Sequence, residues 1–302
     1  MKIAIAGAGD VAAYFIEEFS QSPHETVVLS RSLERNPSMS NIEVRTTDYT
    51  VDSLKDNSQD CDAIDSTLAG PNEAYVASHL AILEACIQSP RCKRFIPSGW
   101  TINMEDFPDQ PLYLSKSRNA VLEALRAQSE VKWSFMCNYW FMDYILPVSN
   151  RFLKDIGNEW LMNHTTKVFD LYGDGLQEIT LTSVRDTAQA TLALLQAHDI
   201  PWSDFTHLSG ETLTPRELFA LLKRHDPSWS LRNITLTDVL RDIIDTNAVE
   251  SGISGVLRLV GFTNCGKSPS ERTLQWNTGI LAGVHGRDVG SFLADGSTKR
   301  VP

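Results

Sequence analysis

Residues 2–6 (Lys-Ile-Ala-Ile-Ala) form an apolar run of strand length, and Ala13, Phe15, Ile16 and Phe19 then recur at helical spacing. The alternation continues down the first half of the chain. Residues 25–29, 42–45, 62–67 and 94–97 have strand-like patterns, with a polar helix over 51–55 between the second and third of them. Helical spacing returns over 73–86, where Val76, Leu80, Ile82 and Leu83 share a face, and over 115–128. Residues 131–137 alternate with period two, as a strand does. Strands alternating with helices across short connections predict an α/β fold with a Rossmann-type, doubly wound parallel sheet.

Past residue 150 the pattern is mixed. Segments 160–162, 167–171 and 178–181 are strand candidates, with a turn at Gly173-Asp174-Gly175. A strong helix follows over 184–196, with Thr182 or Ser183 as its cap, then a strand over 205–210. Pro215 behind Thr214 marks the start of a helix to 224, and another covers 237–245. The rest of 226–302 is rich in Gly, Ser and Thr and has no readable order, and the tail 296–302 reads as a frayed end. The implied organisation is a nucleotide-binding domain over 1–150, with 184–225 returning to it, and a smaller mixed α/β substrate-binding part from 151–183 and 226–302.

Composition narrows the function classes. The 302 residues carry a net charge of −11, which argues against nucleic acid or an anionic membrane surface as partner. There is no apolar stretch of membrane-span length, and the first strand begins too early to leave room for a leader. Five cysteines without a Cys-x-x-Cys pair read as reduced thiols of a cytoplasmic protein. The seven histidines show no metal-ligand spacing, so no metal is expected.

Candidate chemistry starts at the first turn. Gly7-x-Gly9-x-x-Ala12 follows a strand and opens a helix, the context in which a glycine fingerprint implies dinucleotide binding. Gly7 permits the turn, Gly9 admits the pyrophosphate, and Ala12 lets helix and strand pack closely; Asp10 and Val11 lie between them. The pyrophosphate then meets the unsatisfied N–H groups of the helix. After the second strand comes Ser30-Arg31-Ser32, with no carboxylate before Glu34. Hydroxyls and a guanidinium there suit the ribose phosphate of NADP(H), where an acidic residue would select NAD. Asp48 either accepts from the adenine amino group or caps a turn. Thr67, Leu68, Ser98 and Asn138, just past later strands, complete the cofactor set.

The glycine turn, Arg31, Arg94-Phe-Ile-Pro-Ser98, Tyr113-Leu-Ser-Lys116 and the run from Asn138 to Tyr144 together resemble the NmrA-like family. That group of atypical short-chain dehydrogenases includes the isoflavone reductase-like enzymes, and the resemblance is strongest to fungal members. It covers roughly residues 1–225. The family commonly has an acidic residue after the Pro-Ser of strand five, where this chain has Gly99-Trp100, a change that could open space for a larger ligand. Resemblance implies a catalytic role for Lys116, which also contributes to the cofactor set. The Tyr-x-x-x-Lys pair typical of short-chain dehydrogenases is absent, because only two residues separate Tyr113 from Lys116. Trp100, Tyr113, Tyr139, Trp140 and Tyr144 are the substrate-contact candidates, while Phe141 and Met142 read as core. The expected function is NADP(H)-dependent oxidation or reduction of a bulky, largely apolar small molecule of secondary metabolism, by a monomer or homodimer. The alternatives are a redox-neutral isomerase or cyclase using bound NADP(H), and a non-catalytic NADP-sensing regulator that binds a protein partner.

Overall fold

The computed structural model describes residues 1–32, 42–70, 73–100, 102–245 and 256–298, without the side chains of Leu112 and Tyr113. Glu34 and residues 299–302 lie outside the described residues. Six strands, β1 (Lys2–Ala6), β2 (Glu25–Ser30), β3 (Glu43–Thr46), β4 (Ala63–Ser66), β5 (Arg94–Ile96) and β6 (Lys132–Trp133), form a parallel sheet in the order β3-β2-β1-β4-β5-β6. Helices cover both faces: α2 (Val51–Ser58), α3 (Glu73–Gln88) and α4 (Leu112–Arg126) on one, α1 (Asp10–Phe19) and α5 (Val184–Gln196) on the other. This explains why β1 is apolar throughout. Ala4 and Ala6 enter the core under α2–α4, and Ile3 and Ile5 enter the core under α1 and α5. The order reverses between β1 and β4, and ligands bind at such a switch point, outside the carboxyl ends of the strands.

The single strand expected over 131–137 is two. Its first half, β6, pairs with β5. After a break at Ser134 its second half, β7 (Phe135–Cys137), pairs in parallel with β12 (Phe205–His207). Ser134 Oγ lies 2.7 Å from Thr206 Oγ1 at the break. The strand expected over 205–210 therefore stops at His207.

The mixed part holds two small sheets. In one, β11 (Ile179–Thr182) pairs with β8 (Trp140–Phe141) in parallel and with β13 (Glu211–Leu213) antiparallel. In the other, β10 (Val168–Tyr172) lies between β9 (Met162–Asn163) and β14 (Ser230–Ile234). Their core is shared with α6 (Pro215–His225), α7 (Leu236–Asp245) and α8 (Val289–Asp295). Ser183 caps α5 by accepting from the Asp186 N–H. Thr214 and Glu217 close a capping box on α6, with Pro215 as its first residue.

The tail is not frayed as far as Thr298, which is buried. Its Oγ1 lies 2.9 Å from the Tyr14 hydroxyl, and its carbonyl accepts from Arg185 Nε at 2.8 Å. Arg185 also pairs with Glu18 at 2.8 Å, so the tail is fastened to the contact between α1 and α5. Among the described residues no helix is long and apolar enough to cross a membrane, and no group of three His, Cys, Asp or Glu could hold a metal.

Candidate functional site

The turn after β1 has two different glycines. Gly7 has φ +113°, and a Cβ there would lie 2.7 Å from Thr67 Oγ1, so only glycine fits. Gly9 has ordinary φ −84° and precedes α1 with no side-chain cap, and a Cβ there would meet nothing within 4 Å. Open space therefore lies over the uncapped N–H groups of Asp10, Val11 and Ala12, the feature a pyrophosphate needs. Ala12 is fully buried in the core beneath α1. The Asp10 carboxylate is turned aside, accepting from the Lys154 N–H at 3.1 Å.

At the end of β2, Ser30 is buried and its Oγ accepts from the Ser32 N–H at 3.3 Å. Arg31 is exposed, with its guanidinium 5.2 Å from the centre of the Tyr49 ring. Tyr49 is held in place by donating to the Leu29 carbonyl at 2.8 Å. The Asp48 carboxylate is engaged by Thr50, accepting from its N–H at 2.9 Å and its hydroxyl at 2.7 Å. These bonds draw its pKa below the ordinary value and realise the capping alternative.

At the carboxyl edge of the sheet lies a cavity of about 300 Å³. Val11, Thr67, Leu68, Ser98, Trp100, Tyr139, Trp140, Phe141 and Tyr144 are among the residues that line it. Thr67 Oγ1 donates to the Ala6 carbonyl at 3.1 Å, and Trp100 Nε1 donates to the Ser66 carbonyl at 3.0 Å. The aromatic segment is tied down behind: the buried Asp143 carboxylate accepts from the Val184 N–H at 2.8 Å, at the start of α5. Phe141 and Met142 are both core as expected, and Phe141 also contributes to the cavity wall. Asn138 is fully buried just before this segment and is not among the lining residues; its Oδ1 has no hydrogen-bond partner.

The Gly99-Trp100 departure does not open space. A Cβ at Gly99 would sit 2.3 Å from Phe135 Cδ1, so the missing side chain's volume is already filled, and Trp100 itself closes the wall.

Lys116 stands apart from the cavity. Its side chain is exposed and it does not line the cavity. Leu114 and Arg118 do line it, and at 100° per residue position 116 is turned 200° from each, onto the outer face of α4. Among the described residues, the cation in the cavity wall is Arg118, which is buried, lies 3.8 Å over the Tyr75 ring and donates to the Gly70 carbonyl at 3.2 Å. The Tyr113 side chain lies outside the described residues.

Beneath the cavity floor His79 is fully buried and holds three elements together. Its Nε2 accepts from the Ser98 N–H at 3.2 Å and lies 3.0 Å from Ser66 Oγ; its Nδ1 faces the Tyr75 carbonyl at 2.7 Å. An accepting Nε2 places the proton on Nδ1. Burial pushes its pKa down to about 3, so the ring is neutral. Neither His79 nor Arg118 stands out in sequence, where each is one polar residue in a helix.

A doubly wound parallel sheet, an uncapped glycine turn and an edge cavity define a Rossmann-class, dinucleotide-binding architecture. No family model matches the chain. It is 36% identical over 237 residues to the oxidoreductase swnR of Arthroderma benhamiae, covering 78% of each chain, and 32% identical over 240 residues to that of Metarhizium robertsii, covering 79% of each. Among solved structures, a binary complex of leucoanthocyanidin reductase with NADPH from Vitis vinifera superposes with a TM-score of 0.77 at 17% identity, over 99% of this chain and 100% of that one. AtPrR2 with NADP+ and (+)pinoresinol gives 0.76 at 15% identity, over 98% of both chains. The chain belongs to the same family as these fungal swnR oxidoreductases, and it shares its fold with the NADP(H)-complexed reductases.

Proposed function

We propose that the protein is an NADP(H)-dependent oxidoreductase whose substrate is a largely apolar, ring-bearing small molecule of secondary metabolism. The observation that carries this reading is the aromatic cavity of about 300 Å³ that opens directly from the nucleotide cradle. NADP(H) supplies hydride exchange at its nicotinamide. The residues present fit it: the open space at Gly9 suits the pyrophosphate, Ser30, Arg31 and Ser32 suit the ribose phosphate, and Val11, Thr67, Leu68 and Ser98 flank the path to the nicotinamide.

The chain's own contribution is to orient the substrate and exclude water. Trp100, Tyr139, Trp140 and Tyr144 clamp a flat face, and the Arg118 guanidinium supports a carbonyl-like oxygen where negative charge develops. Space shared with the nicotinamide leaves room in this cavity for about two of the substrate's rings. A bulkier molecule extends into the adjoining cavity of about 100 Å³, which shares Tyr144 and Ile156 with the first.

The test is NADPH consumption with 9,10-phenanthrenequinone, a flat apolar diketone, alongside calorimetric NADPH binding. Turnover with stoichiometric NADPH loss is expected, reduced about tenfold or more by Arg118→Ala and nearly unchanged by Lys116→Ala. Rearrangement of a ring-bearing compound without net NADPH loss would replace this reading with a redox-neutral isomerase. Tight NADPH binding without turnover of any carbonyl probe would favour the regulator.

A further inference from the structure

We propose that Tyr139, His207 and Glu105 form a proton relay: Tyr139 exchanges a proton with the substrate heteroatom, and His207 and Glu105 connect it to solvent. The relay rests on the oxidoreductase reading above.

The three residues come from separate parts of the chain. Tyr139 follows β7 with a left-handed backbone (φ 63°), unusual for a tyrosine, and lines the main cavity. Its hydroxyl lies 2.8 Å from Nδ1 of His207, the last residue of β12, which pairs with Cys137 across the sheet. His207 Nε2 lies 2.9 Å from Glu105 Oε2, and Glu105 pairs with Arg272 at 2.6 Å. His207 is buried, whereas Glu105 and Arg272 are partly exposed. With His207 they line a second cavity of about 270 Å³ that shares no residue with the first. Hydrogen bonds thus join Tyr139, a residue of the first cavity's wall, to His207 and Glu105 in the wall of the second.

The direction of the bonds follows from the partners. A carboxylate engaged by an arginine only accepts, so His207 Nε2 carries a proton and Nδ1 presents its lone pair. Tyr139 then donates to Nδ1, and its oxygen keeps a lone pair. Thr67 and Trp100 spend their polar hydrogens on backbone carbonyls, so neither offers a comparable path.

In the oxidising direction, hydride leaves the substrate carbon for the nicotinamide, and the heteroatom–hydrogen pair becomes the new π bond. The released proton passes to the Tyr139 oxygen as the tyrosine's own proton moves to Nδ1. The resulting imidazolium faces Glu105 and gives its Nε2 proton to solvent on that side. Reduction runs the same transfers backward, beginning with an imidazolium. Groups acting on His207 are Glu105 and Asp106, which favour its charged form, and Arg272, which opposes it; burial dominates and lowers its pKa. Burial raises that of Tyr139 well above the ordinary phenol value, opposing free tyrosinate.

The test uses the full chain with NADPH and 9,10-phenanthrenequinone in single-turnover kinetics, with NADPH affinity measured separately. Tyr139→Phe is expected to slow hydride transfer about 100-fold, with NADPH affinity unchanged. His207→Gln should abolish the pH dependence of hydride transfer. Nitrogen NMR of His207 should show the proton on Nε2 and a titration that shifts on Tyr139→Phe and on Glu105→Gln. An unimpaired Tyr139→Phe, a pH profile unmoved by His207→Gln, or a proton resting on Nδ1 would each overturn the relay. If the parent protein binds NADPH and reduces no probe, the oxidoreductase reading falls and the relay with it. If only the variants miss expectation, the relay alone falls.

Discussion

Replacing Gly9 by alanine separates binding from folding. A Cβ there meets no atom within 4 Å, and the local φ of −84° is open to any residue. Alanine is a poorer cap than glycine, so the loss of stability is below about 1 kcal/mol. The same methyl occupies the space through which a pyrophosphate would approach the first-turn N–H groups of α1. Disrupting hydrogen bonds to a charged group costs roughly 1.5–3 kcal/mol, a 10- to 100-fold loss of NADPH affinity. Gly7→Ala should fail differently. Its Cβ falls 2.7 Å from Thr67 Oγ1 at φ +113°. Backbone strain and the clash together destabilise by about 2–4 kcal/mol, lowering Tm by roughly 5–10 °C. Thermal unfolding and calorimetric NADPH titration on both variants give the comparison. A Gly9→Ala protein that binds NADPH like the parent would refute the assignment of that turn as the phosphate cradle.

Three other outcomes follow from the geometry. Arg31→Ala should weaken NADPH binding about tenfold or more and leave NADH binding nearly unchanged, because only the ribose phosphate loses a charged partner; equal loss for both nucleotides in paired titrations would contradict this. Gly99→Ala, whose Cβ would lie 2.3 Å from Phe135 Cδ1, should cost about 1–3 kcal/mol, read as a lower denaturant midpoint. Asp65 is buried on β4 beside Ile5 and Ile96, neither carboxyl oxygen has a hydrogen-bond partner, and burial holds its pKa well above the ordinary value. Below the unfolded-state pKa both states are protonated and nothing is lost. As pH rises beyond it the unfolded chain ionises first, so this group's contribution to stability falls until the folded-state pKa is passed. Asp65→Val should therefore raise Tm at neutral pH, and raise it less near pH 4; no gain at neutral pH would show that the buried carboxyl has compensation elsewhere.

The first half of the fold was legible because its elements are local and its strands are buried on both faces, which leaves unbroken apolar runs such as Ile3-Ala-Ile-Ala6. Long-range pairing erased that signal later. Strand β14 has four exposed residues before Ile234, and it exists through pairing with β10 some sixty positions earlier, so no apolar pattern marks it. The break at Ser134 is equally invisible, since it reflects a change of neighbour from β5 to β12. At the site, the glycine turn and Trp100 were readable from position alone. The placement of Lys116 away from the cavity was not legible, because a helix's rotational phase depends on packing: two residues along, Arg118 takes the cavity face. Tyr139 was marked as a contact, but its link to His207 and Glu105 joins residues 68 and 102 positions apart, which no local pattern encodes.

The most direct test is a crystal structure of the protein soaked with NADP+. The account predicts the pyrophosphate over Gly9 at the start of α1, the ribose phosphate between Ser30 and Arg31, and the nicotinamide in the cavity between Ser98 and Tyr139. A dinucleotide bound elsewhere, or one whose nicotinamide points away from that cavity, would contradict it.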